Sequence, residues 1–142
     1  MKRYFLITSL ISISSLFFTS GALASLGIKI LNQSDNSDFV VTKMSASKGH
    51  FHGPNKDSGF TVDPNTSAIV SLTHSHNEGA GGMTISTADG CNAVLYIDYV
   101  LIYAKTATLT WKSNSCPKTL THHQKSSLSF TVCYHPKTAD CK

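Results

Sequence analysis

Imidazole is the chemistry this chain carries in excess. Its seven histidines fall into groups: His50 with His52, His74 with His76, His122 with His123, and His135 alone. In a β-strand, positions i and i+2 project to the same face. Each His-x-His therefore offers two imidazoles side by side, and Glu78 extends the second pair to a row of three, His74, His76 and Glu78. Imidazole and carboxylate suit Zn²⁺, and imidazole also suits Cu²⁺. The residues His50, His52, His74, His76 and Glu78 thus read either as a Zn or Cu site or as polar cover for strand ends.

Other catalytic chemistries find little support. The chain has no Gly-x-Ser-x-Gly elbow and no His-Glu-x-x-His helix motif. Glu78 is the only glutamate, and the carboxylates are too scattered to argue a glycosidase pair. The stretch from His76 to Gly82 lacks the lysine of a phosphate loop, and it reads as a flexible Gly-rich connection. A non-enzymatic binding protein is the expectation. Tyr96, Tyr99, Tyr103 and Trp111 cluster in one region. Tyr99, Tyr103 and Trp111 share parity with Leu95, Ile97, Leu101 and Leu109, so the core is their default place, whereas Tyr96 shares a face with Asp98. An amphipathic ring set outward beside a lysine suits a lipid head group or a glycan. Tyr96, Trp111 and Lys48 are the candidates for such a ligand surface.

The elements that must position these groups follow an export signal. Met1-Lys2-Arg3 is a basic start, Tyr4 to Phe18 is an apolar run, and Ala22-Leu23-Ala24 offers small residues for cleavage. Residues 1–24 are therefore expected to be removed, leaving 118 of the 142 residues as a single domain secreted to the extracellular space or a periplasm. Lys2 and Arg3 leave with the signal, so the net charge falls from +4 to +2 and the mature chain has no arginine. Without the guanidinium fork that reads phosphate and guanine edges, nucleic acid is an improbable partner. Four cysteines in an exported chain read as two disulfides.

Ser and Thr make up 28 of the 118 mature residues, and apolar residues alternate with polar ones nearly throughout, which predicts antiparallel strands. Strands are expected around Leu26–Ile30, Phe39–Ala46, Phe60–Val62, Ala68–Leu72 and Met83–Ile85, with two more between Asn92 and Lys112 and a last one near Leu128–Tyr134. Turn chemistry stands at Gly53-Pro54-Asn55, Asp63-Pro64-Asn65 and Asp89-Gly90. Eight to ten short strands imply an all-β, antiparallel β-sandwich. If the chain reverses near Tyr103 and Ala104, positions that add to 207 face each other, as Cys91 and Cys116 do. Cys133 and Cys141 flank Pro136-Lys137, a tight turn. The expected disulfides are Cys91–Cys116 and Cys133–Cys141, both in the C-terminal half.

Residues 26 to 88 carry a resemblance. Ile28-Lys29-Ile30-Leu31-Asn32, the stretch Phe39 to His52 with its Lys43-Met44-Ser45-Ala46-Ser47-Lys48-Gly49-His50 core, Val62-Asp63-Pro64, and Gly79 to Ile85 resemble the N-terminal strands and turns of the aegerolysins. Lys48 stands where that family has an aromatic residue, and His74-Ser75-His76 stands in place of its Cys-Gly-Arg. The resemblance implies a small β-sandwich that binds membrane lipid of sphingolipid type without enzymatic activity, in some cases acting with a larger second protein component. The expected function is recognition of a membrane lipid or glycan surface, of host-interaction or toxin-like kind. A secreted Zn- or Cu-binding protein is the alternative.

Overall fold

The computed structural model describes residues 24–55, 57–102 and 105–141. The expected signal segment, Ala24 apart, lies outside the described residues, as does the expected reversal at Tyr103 and Ala104. Ten strands follow one another: β1 (Leu26–Asn32), β2 (Phe39–Lys48), β3 (Phe51–His52), β4 (Phe60–Val62), β5 (Ser67–Leu72), β6 (Glu78–Thr87), β7 (Asn92–Val100), β8 (Thr106–Asn114), β9 (Leu120–Ser126) and β10 (Ser129–Tyr134). They form two five-stranded sheets, β3-β5-β1-β10-β9 and β4-β2-β6-β7-β8. Neighbours are antiparallel except β1 and β10, which run parallel.

The period-two alternation explains why these segments are strands that face each other. Leu26, Ile28 and Ile30 of β1 are fully buried while Lys29 between them is exposed. Opposite them, Met83 and Ile85 of β6 and Leu95 and Ile97 of β7 are equally buried and belong to the same core cluster. Burying each such side chain stabilises the fold by about 1.5–3 kcal/mol. The β1–β2 connection is held by a buried amide. Asn32 Nδ2 donates to the carbonyls of Ser37 and Val62, each at 2.8 Å, and its Oδ1 accepts from Ser34 Oγ at 2.7 Å.

Both disulfides are formed as expected. Cys91–Cys116 spans 25 residues with the Cα atoms 5.7 Å apart, and Cys133–Cys141 spans 8 residues at 5.9 Å. Two bridges fit an oxidising compartment. The β7–β8 register supports the first pairing in detail. Ala93 faces Asn114 and Val94 faces Ser113, on the frame that brings Cys91 opposite Cys116. From Leu95–Trp111 onward the register is shifted by one, which leaves Lys112 as the extra residue of a bulge.

Three expectations need correction. Residues 77–82, read as a flexible Gly-rich loop, are instead continuous with strand β6 from Glu78 onward. The glycines are there for close packing. A Cβ on Gly79 would fall on the ring of Tyr99, its cross-strand partner, and one on Gly81 would come within 2.8 Å of Phe51 Cε2. Strand β9 is missed because Thr121 to Ser126 has no apolar alternation; it is a polar edge strand carried by β10. Strand β10, expected to show one polar face, is buried on both, with Thr131 and Cys133 as covered as Val132. The chain after β10 returns over that face, anchored by Cys133–Cys141 and by the buried His135, which bonds Thr121 Oγ1 at 2.9 Å and the Thr138 carbonyl at 3.0 Å.

Candidate functional site

At one end of the sandwich, strand β2 leaves its sheet and crosses to β3 in the other. The crossing residue is Gly49, at φ 83°, and a Cβ there would strike the Thr73 carbonyl. Only glycine combines that left-handed backbone with so close an approach. The next residue, His50, is held by Thr73, whose hydroxyl donates to the His50 carbonyl at 3.0 Å and accepts from the His50 N–H at 3.2 Å. Phe51 then turns inward and is buried, which leaves His50 and His52 on the solvent side.

Facing this crossing is a two-residue hairpin. Ser75 and Glu78 pair through backbone hydrogen bonds of 2.8 and 3.1 Å, and His76 and Asn77 form the turn with φ of 53° and 65°. Two successive positive φ values define the turn type that matches strand twist, and His and Asn are among the side chains that tolerate this region best. The turn breaks the expected row. His76 sits at the tip rather than in an extended strand, so His74, His76 and Glu78 do not share one face.

Between crossing and hairpin lies an open cleft of about 610 Å³ whose polar lining includes Lys48, His50, Asp57, Ser75, His76 and Glu78. The Lys48 ammonium forms an ion pair with the Glu78 carboxylate across it, at the solvent boundary. Lys48's hydrogen bond and charge hold the Glu78 carboxyl below its ordinary value, and the same pair raises Lys48, with smaller contributions from Asp98 and Tyr96. The rim is positioned from within by Tyr99. Its ring lies on Gly79, its hydroxyl donates to the Leu72 carbonyl of the opposite sheet at 2.8 Å, and burial raises its phenol.

The structure thus gathers Lys48, His50, His76 and Glu78 but separates the other candidates. His52 lines a neighbouring depression with Asn55 and Asp57. His74 is half-buried, its Nδ1 without a hydrogen-bond partner, and it does not line the cleft. Among the described residues no group of three or more His, Cys, Asp or Glu side chains is arranged to hold a metal ion. Glu78, the carboxylate of the expected set, is engaged by an ammonium instead. Of the aromatic candidates, Tyr96 projects from the outer face of its sheet, half-buried, with the Lys112 ammonium 5.0 Å from its ring centroid. Trp111 turns the other way: it packs against the core and against His122, ring centroids 5.5 Å apart. Tyr103 lies outside the described residues. Sequence reasoning passed over Asp57 and Ser75, which reach the cleft only because loop and hairpin converge there.

The chain matches no protein-family model and no curated protein. Among solved structures it is similar to IP-1A from Alcaligenes faecalis, with a TM-score of 0.54 and 20% identity over 83% of this chain and 94% of that one. At that identity the likeness speaks for the fold alone.

Proposed function

We propose that the protein is a secreted, non-enzymatic binding module that captures the polar head group of a membrane lipid or surface glycan in the Lys48–Glu78 cleft. The observation that carries this reading is the cleft itself. It sets one cation, two imidazoles and two carboxylates around an open space on a doubly stapled frame. A ligand bearing both charges, or a ring of hydroxyls, can exchange partners with the Lys48–Glu78 pair. Large exposed apolar side chains among the described residues are Ile69 and Ile102, so contact by head group rather than by insertion is favoured.

The test is flotation with liposomes spanning the head-group classes, sphingolipid–sterol mixtures included, and retention on glycan-coated beads, with and without a chelator. Lys48→Ala and Glu78→Gln should each weaken capture while the thermal midpoint stays put, because both side chains are exposed. Absence of binding to every surface, or undiminished binding by both variants, would overturn the proposal. Capture lost on chelation would favour the histidine–metal alternative.

A further inference from the structure

The outer face of the β4-β2-β6-β7-β8 sheet carries a second feature. One row of cross-strand partners runs across it, Ser45–Gly82–Tyr96–Thr110. Gly82 opens this row. A Cβ there would have only the Leu95 carbonyl near it, at 3.6 Å, so nothing in the packing requires glycine and its effect is a gap beside the Tyr96 ring. Shallow depressions flank the ring. One, of about 330 Å³, is lined by Lys43, Ser45, Ser47 and Thr84; the other, of about 450 Å³, by Asp98, Thr106, Thr108, Thr110 and Lys112. Ser47 also lines the Lys48–Glu78 cleft, so the trough lies beside it.

We propose that this trough binds a carboxylated sugar, a hexuronate- or sialate-type pyranose within a glycan chain. A pyranose presents an apolar C–H face suited to an aromatic ring, and hydroxyls suited to the Ser and Thr lining. Its charge is set by the lysines. Among the described residues the ion pairs are Lys48–Glu78 and Lys137–Asp35, so Lys43 and Lys112 flank Tyr96 without a carboxylate partner. The β8 bulge sets Lys112 on this face, and the Tyr96 ring holds its ammonium close to the sheet. Asp98 lines the second depression as well, and its charge also acts on the Lys48 ammonium. An anionic ring seated over Gly82 therefore has a cation at either end. Neither large exposed apolar side chain, Ile69 nor Ile102, lines the trough, which disfavours a protein-docking face.

The inference rests on the surface-binding reading and names the carbohydrate part of that surface. It is tested by following the backbone amides of the isotope-labelled protein during titration with trigalacturonic acid. The controls are its methyl-esterified neutral form and polyglutamate. Trigalacturonate should shift Gly82, Tyr96 and Thr110, the neutral form should bind about tenfold more weakly or worse, and Gly82→Val should lose affinity to a similar degree. Gly82→Val fills the gap with a strand-favouring side chain in open space, so its thermal midpoint should match the parent. Tyr96→Ala gives the independent second variant. Unmoved trough amides, equal shifts with polyglutamate, or retained affinity in both variants would overturn the proposal. Liposome capture that depends on Lys48 but persists after any of those outcomes leaves the cleft reading standing, so the two fail separately.

Discussion

Gly79 and Gly82 lie in the same strand, and replacing each by alanine should have opposite consequences. The Gly79 Cβ would fall on the Tyr99 ring, which is buried and cannot swing into solvent. Overpacking of this kind costs about 1–3 kcal/mol. If the ring yields, its hydroxyl withdraws from the Leu72 carbonyl, now 2.8 Å away. A buried acceptor left without a donor costs a further ~1–3 kcal/mol. Gly79→Ala should therefore lose about 2–6 kcal/mol, a large part of the ~5–15 kcal/mol that holds a domain together. At Gly82 the added methyl makes ordinary contact, and relief of glycine's backbone entropy offsets it, so the change should stay within about 0.5 kcal/mol or be slightly stabilising. Urea unfolding with disulfides intact, followed by fluorescence of Trp111, the chain's single tryptophan, gives both values. A double-mutant cycle of Gly79→Ala with Tyr99→Leu should recover part of the loss, because the smaller side chain vacates the clash. If Gly79→Ala falls within about 0.5 kcal/mol of the parent, the segment is the tolerant loop its composition suggests and the packing argument fails.

The disulfides allow a second measurement. From closed loops of 25 and 8 residues, replacing Cys91 and Cys116 by serine should cost about 3.5 kcal/mol, and replacing Cys133 and Cys141 about 2.5 kcal/mol. A larger loss for the second pair in urea titration would show that its anchoring of the tail over β10 outweighs loop entropy. A third expectation concerns pH. Burial, with a smaller push from His123, lowers the pKa of His122. The unfolded chain therefore takes up the proton more readily than the folded one. The resulting destabilisation is absent above the unfolded value of about 6.5, appears as pH falls below it, and levels off below the folded value. His122→Gln should flatten the thermal midpoint against pH between neutrality and mild acid; an unchanged slope would assign the dependence to other groups.

Much of the scaffold was legible because burial writes a period of two. Leu26-x-Ile28-x-Ile30 could bury one face only as a strand, and the Cys91–Cys116 spacing worked because antiparallel pairing makes opposite positions add to a constant. The signal failed where the reason for a residue lies in a distant partner. Gly79 and Gly81 resemble loop glycines until Tyr99 and Phe51 are known to lie on them. The residues of β9 show no alternation, because an edge strand takes its structure from its neighbour's backbone.

The candidate site divides in the same way. His50 and His52 flank a buried phenylalanine on one side of the chain, as spacing alone required. The turn at His76-Asn77 broke the second histidine row, and tertiary structure then brought Lys48 to Glu78 from 30 residues away. By itself the sequence determined most of the strands, the two disulfides and the lack of arginine after Arg3, because these depend on residue type and local period. Only the tertiary structure decided that a cleft exists, that Lys48 and not a metal-binding histidine row engages Glu78, and that Gly82 opens a trough beside Tyr96. Those are matters of close approach between segments far apart in the chain, and local pattern carries no record of them.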